Sequence, residues 1–240
     1  MLFYIFDTTR AIEYKASNNA TAFWPLLRSP PRRVLNTRSP TTVGTPGGTI
    51  FDDKLGVDYS KRVLADASAF VWTTFQQSSE ADRKNVQLIT LSIENLNRDD
   101  VVALTSNNMI QYNAKFIADG NVDDLNRGFE GVLYHEVTHV WQWNGNNAAP
   151  GWLIEGIADF VRLKAGYVPS HWAKPGDGNS WTEGYSVTAR FLDYCNGLKG
   201  GFVTQLNAKM RDGYSDDFFV ELLGKPVDQL WNDYKAQYGS

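Results

Sequence analysis

Two of the three histidines in this 240-residue chain stand four residues apart, in His135-Glu136-Val137-Thr138-His139. Side chains at i and i+4 of a helix share one face, so both imidazoles can reach a single ion. Zinc held in this way lowers the pKa of a bound water to roughly 7, and a neighbouring carboxylate can take that proton during attack on a carbonyl. His135 and His139 are thus candidate metal ligands, and Glu136 is the candidate general base. The competing reading is a chance match on an amphipathic helix. Against it, Phe129, Val132, Leu133, Val137, Val140 and Trp141 wrap most of the segment in apolar side chains, and such a helix needs a reason to carry two His and a Glu.

A catalytic zinc takes a third protein ligand and keeps one position open. The segment Pro150-Gly-Trp-Leu-Ile-Glu155-Gly-Ile-Ala-Asp159 supplies a carboxylate for it. Ile154, Ile157, Ala158 and Val161 form an apolar stripe, while Glu155, Asp159 and Arg162 fall on a different face. A loop at Asn144 to Ala149 lets this helix fold back on the first, making Glu155 the natural third ligand. Asp159, one turn later, can accept a hydrogen bond from a ligating imidazole and fix its tautomer. The plain alternative is a solvated acidic face with an Asp159–Arg162 pair.

The elements that must position these groups follow from periodicity. Leu55 to Gln76 has helical spacing, Val86 to Ile93 and Met109 to Ile117 read as strands, and Thr105 to Asn108 reads as a turn. Gly47 to Asp52 suggests a turn into a short extended piece, and Ala11 to Ser17 a weak first strand. Helices are predicted over 124–143, with Asp123 or Asp124 as N-cap, and over 151–165, 184–195, 201–211, 215–223 and 226–237. The expected class is α+β, a small sheet first and helices later.

Composition limits the rest. An apolar fraction of 42% supports a sizeable core, and a net charge of −4 argues against a general nucleic-acid binder. No apolar run approaches the ~20 residues that span a bilayer. One cysteine, Cys195, excludes an internal disulfide framework and reads as a buried thiol. Between Tyr14 and Phe51 there is no acid, one lysine and four arginines, and five of the nine prolines. Phe23 to Gly44 therefore reads as irregular. The start, Met1 to Phe6, is apolar but ends at Asp7, so no export signal is legible.

The pair His135-Glu-x-x-His139 and Trp152-Leu-Ile-Glu155-Gly-x-Ala-Asp159 resembles the glutamate-ligand zincin metallopeptidases. More closely, Leu133 to Gly145 and Gly151 to Gly166 resemble the plant basic secretory proteins, and Val187 to Cys195 and Asp228 to Tyr234 continue the likeness. The resemblance implies a zincin-like fold, a Zn2+ cofactor, a peptide or protein substrate, a role in plant defence and an extracellular (apoplastic) location. A monomer is expected, with neither nucleic acid nor membrane as partner. A non-catalytic defence-related binding protein on the same scaffold is the alternative, and an aminopeptidase a weaker one. The division that follows is 1–21 as an N-terminal strand region, 22–44 as an insertion of gene-model or splicing origin, and 45–240 as the peptidase-like domain.

Two side chains are candidates to stabilise the tetrahedral oxyanion. Tyr185 opens a predicted helix, much as a tyrosine often does in zincins, and His171 is the remaining histidine. The strand around Met109 to Ala114 is the expected sheet edge for an extended substrate. Trp141, Trp143, Trp152, Trp172 and Trp181 cluster in the same zone, as core residues or as cleft walls.

Overall fold

A computed structural model describes residues 34–38, 42–120 and 124–239. Its sheet has the order β1-β2-β4-β3, built from β1 (Val34–Arg38), β2 (Ile89–Glu94), β3 (Ala103–Ser106) and β4 (Met109–Asn113). The β1–β2 and β2–β4 pairs are parallel, with Leu91 opposite Ile110. β3 runs antiparallel to β4 and forms one edge of the sheet, with Thr105 opposite Ile110. Ile89, Leu91 and Ile93 are all fully buried, the pattern of an interior strand.

The structure departs from the sequence expectations at four places. Residues 34–38, expected to be irregular, form β1, because Val34-Leu-Asn-Thr-Arg38 contains no Pro or Gly between the prolines at 31 and 40. The expected turn at Thr105 to Asn108 is in its first half the end of β3. Only Asn107 and Asn108 turn, at φ +50° and +63°, which two-residue hairpins need and asparagine tolerates. The strand starting at Met109 stops at Asn113, whose side chain accepts the Lys115 N–H and begins α3 (Ala114–Asp119). The predicted extended piece at 47–52 is instead α1 (Pro46–Ile50), capped by Thr45 and continued by a π-helical turn over 51–55. A Cβ on Gly47 would lie 1.9 Å from the Ala114 carbonyl oxygen, so this glycine lets α1 sit on the start of α3. The predicted strand at 11–17 lies outside the described residues.

The longer helices match their periodicity closely: α2 (Gly56–Thr74), α4 (Leu125–Trp141), α5 (Gly151–Lys164), α6 (Tyr185–Leu198), α7 (Phe202–Lys209), α8 (Asp217–Leu223) and α9 (Val227–Tyr238). Asp124 stands at the N-cap position of α4, but its side chain makes no capping bond. α4 lies between α2 and α5, with Leu133 and Val137 fully buried and Trp141 edge-on to Trp72 at 4.9 Å. Burying such aliphatic side chains contributes about 1.5–3 kcal/mol each, enough to hold a helix whose other stripe is polar. In the same core, Phe191 meets Phe219, Trp231 and Tyr234 and fastens α6 to α8 and α9. The α5–α6 approach is close: a Cβ on Gly156 would come within 2.3 Å of Thr188 Cγ2. The class is α+β.

Candidate active site

The fold-back that Asn144 to Ala149 was expected to make is built from two left-handed asparagines, Asn146 and Asn147, at φ +54° and +69°. Asn144 Nδ2 donates to Asn147 Oδ1 at 2.8 Å and holds the loop. α5 then runs beside α4 with Leu153, Ile157, Ala158 and Val161 turned inward and fully buried. Glu155 and Asp159, one turn apart, are left facing the histidines of α4.

Three donor atoms meet between the two helices. His135 Nε2 lies 3.0 Å from Glu155 Oε2 and 3.1 Å from His139 Nε2, and His139 Nε2 lies 3.4 Å from Glu155 Oε2. A tetrahedral ion with bonds of about 2.0–2.2 Å places its ligands about 3.3–3.6 Å apart, so this triangle is near the size of one face of such a polyhedron. The donor chemistry also fits zinc, two imidazoles and one carboxylate. His135 Nδ1–H donates to Asp159 Oδ1 at 2.7 Å, which leaves Nε2 of that ring to face Glu155. Asp159 is therefore engaged with His135, and the alternative Asp159–Arg162 ion pair does not form.

The charges agree with a cation site. Burial works against protonation of His135, but its hydrogen bonds to Asp159 and Glu155 and the charges of Asp159 and Glu136 outweigh it and push the imidazole up to about 10. Burial also opposes ionisation of Glu155, yet hydrogen bonds from His135 and His139 hold its carboxyl well below the usual carboxylate range. Acids surround the imidazoles and raise their affinity for a cation.

Glu136 is buried beside the triangle, and Thr105 Oγ1 on β3 lies 2.6 Å from its Oε2, donating to it. Thr105 was invisible as a site residue in the sequence, since it is 31 positions from Glu136 and its own segment reads as a turn. Gln142, three residues beyond His139, has Nε2 2.7 Å from His139 Nδ1 and 3.2 Å from the Ile154 carbonyl. Gln142 is the extended C-cap residue of α4, so this contact comes from the way the helix ends and not from helical spacing.

Tyr185 stands at the first position of α6 with φ +43°, after Gly184 at +81°. A bulky residue held in that region is strained, a condition that concentrates at working sites. Its ring lies parallel to that of His135, 6.2 Å between centroids, and 57% of the residue is exposed. Partial burial and the charges of Glu155, Asp159 and Glu136 raise its pKa, which keeps the phenol protonated. His171 is exposed in the same cleft, without a hydrogen bond or ring contact to the cluster.

The cluster opens into a cleft of about 780 Å³. Ala103, Leu104 and Thr105 of β3 line it, so the edge strand available to a bound chain is β3 and not the expected Met109 to Ala114, which pairs on both sides. Of the five tryptophans, Trp141 is core and Trp152 packs edge-on to Trp181 at 4.5 Å. Trp143 is half-buried near Lys84 and Arg211, and Trp172 lines the cleft. Cys195 is fully buried, and burial pushes its thiol up and makes it inert.

An α+β chain that gathers two histidines, three carboxylates and a tyrosine along one cleft has the layout of a hydrolytic centre. The chain matches the family described as "Peptidase of plants and bacteria" over residues 34–234, and it belongs to that family. A "Basic secretory protease" of Boswellia serrata is 49% identical over 59 residues, which make up 25% of this chain and 67% of that protein. No solved structure matches the chain.

Proposed function

We propose that this protein is a zinc-dependent endopeptidase of zincin-like architecture, exported and linked to plant defence. The observation that carries the reading is the convergence of His135 Nε2, His139 Nε2 and Glu155 Oε2, each within 4.8 Å of the others, beside the buried Glu136. Those three residues would hold the ion, which would supply a Lewis acid and a water that ionises near neutral pH. Asp159 orients His135. Glu136 takes the proton of the attacking water and delivers it to the leaving amine, with Thr105 holding its carboxylate in place. Tyr185, already protonated and next to the ligands, donates to the developing oxyanion, with His171 as the second candidate.

Among the described residues β3 pairs with a strand on one side only, so an extended peptide in the cleft can add to it as a further strand. The family description and the relative's name support a peptide or protein substrate, and the relative's name supports export. The test is metal analysis of the purified protein together with Glu136→Gln. Stoichiometric zinc, with cleavage of a peptide library abolished in the variant and by a chelator, is the expected result. Equal cleavage by both proteins would overturn the assignment. Full zinc occupancy without turnover would instead indicate a binding protein on the same scaffold.

A further inference from the structure

Arg162 is left over once the catalytic cluster is assembled. Its Nε donates to the Tyr167 carbonyl at 3.1 Å, and its guanidinium carbon lies 5.3 Å from the centre of the Trp172 ring. Gly131 sits beneath it: a Cβ there would come within 3.1 Å of Arg162 Nη2. A carbonyl, an aromatic ring and a glycine surface thus hold the guanidinium in one orientation. Among the described residues its two terminal nitrogens have no hydrogen-bond partner and no acid lies within ion-pair distance. The nearby acids are engaged elsewhere, Asp159 with His135 and Glu136 with Thr105. Arg162 nevertheless lines the cleft.

A fixed guanidinium with a free fork of N–H donors matches a carboxylate, which it can bind through two parallel hydrogen bonds. Because the fork is already oriented, little further ordering opposes binding. We infer that Arg162 is a specificity-determining residue that selects a carboxylate on the substrate, an acidic side chain or a free C-terminus, on one side of the bond cleaved. The inference names the substrate class of the proposed peptidase and in that respect rests on it.

The placement limits which substrate position is read. Gly131 lies four residues before His135 on α4, about 6 Å along the helix, and an extended peptide advances ~3.3 Å per residue. The recognised carboxylate therefore belongs within about two residues of the scissile bond. Lys84, the other cleft cation without an acid partner among the described residues, stands by Trp143, past the opposite end of α4. Charge selection by the two cations would therefore fall on opposite sides of the bond.

The probes are terminally blocked alanine hexapeptides with one Glu at each position in turn, their Gln counterparts, and the all-alanine peptide with a free or an amidated C-terminus. Affinity is read by isothermal titration calorimetry on zinc-loaded full-length Glu136→Gln protein, and cleavage on the wild type. A charge-assisted bidentate pair predicts that one Glu peptide, or the free-terminus peptide, binds about 10-fold more tightly than its uncharged partner. Adding Arg162→Gln should erase the preference, and adding Arg162→Lys should keep part of it. A gain confined to an internal Glu identifies a side chain as the source, and a gain confined to the free terminus identifies a chain end. The comparison of peptides on unaltered Arg162 stands even if a variant fails to fold. Absence of any preference there overturns the inference, as does a preference that survives Arg162→Gln and disappears in Lys84→Gln. Cleavage without carboxylate preference would defeat Arg162 and leave the peptidase. Preferential binding without cleavage would defeat the peptidase and leave Arg162.

Discussion

Asp159 Oδ1 accepts the Nδ1–H of His135 across 2.7 Å, so α5 fixes the orientation of a ring that α4 supplies. Both partners are almost wholly buried, His135 at 8% and Asp159 at 3% exposure. The bond holds the tautomer whose Nε2 faces Glu155, and it places a negative charge behind the ring. Partners of this kind typically carry 10–100-fold in metal affinity. Asp159→Asn should therefore weaken zinc binding by about that factor, read by competition with a chelating dye. Unchanged affinity would mean that the carboxylate serves packing alone.

The same pair sets a proton balance. His135 has a folded-state pKa near 10, above its ordinary value of 6.5, so the metal-free native protein holds a proton there that the unfolded chain releases. Its contribution to stability is fully present below pH 6.5 and is lost as pH rises through about 10. Thermal stability of the metal-free protein should accordingly decline across that window. A zinc ion held as proposed would have to displace the proton, so loading at pH 8 should release about one proton from His135, whereas an unperturbed imidazole would carry only about 3% of one. Calorimetric titration in buffers of different ionisation enthalpy counts it.

Thr105 offers a cleaner separation of positioning from folding. Its hydroxyl donates to Glu136, and valine matches its shape on a half-buried edge strand. Thr105→Val should lower kcat by about 10-fold with zinc content and KM unchanged, as expected when a hydrogen bond to a charged group is lost. Thr105→Ser restores the hydroxyl and should recover most of the rate. A fall in zinc occupancy would instead mark a structural role.

How much of this could be read beforehand depended on how far each feature reaches along the chain. The helices carrying His135, His139, Glu155 and Asp159 were legible because an apolar stripe with a period of 3.6 residues runs through each. β3, α1 and α3 were not, since each spans six residues or fewer and owes its form to partners elsewhere. Gly47 is the plainest case: its reason is the Ala114 carbonyl, which only the folded chain brings near. The same holds within the site. Both candidate metal-ligand motifs are contiguous segments, whereas Thr105 meets Glu136 only through the β3–α4 contact, and Arg162 gains its setting from Gly131 and Trp172.

The two oxyanion candidates differ in a way that kinetics can resolve. Tyr185 is held at φ +43°, its ring stacked parallel to His135, while His171 shares the cleft without touching the cluster. The charges of Glu155, Asp159 and Glu136 favour a neutral phenol, the form that can donate. Removing one oxyanion donor typically costs about 10²–10³ in kcat. Tyr185→Phe keeps the ring and its stacking and loses only the donor, so kcat should fall by about that factor while zinc occupancy stays full. His171→Ala should leave kcat close to the wild-type value. Because burial and the neighbouring carboxylates raise the phenol pKa, any alkaline loss of activity from ionisation of Tyr185 should be displaced upward from the ordinary phenol value of 10.0. A larger loss from His171→Ala than from Tyr185→Phe would reverse the assignment and leave the strain at Tyr185 to be explained by the α5–α6 packing.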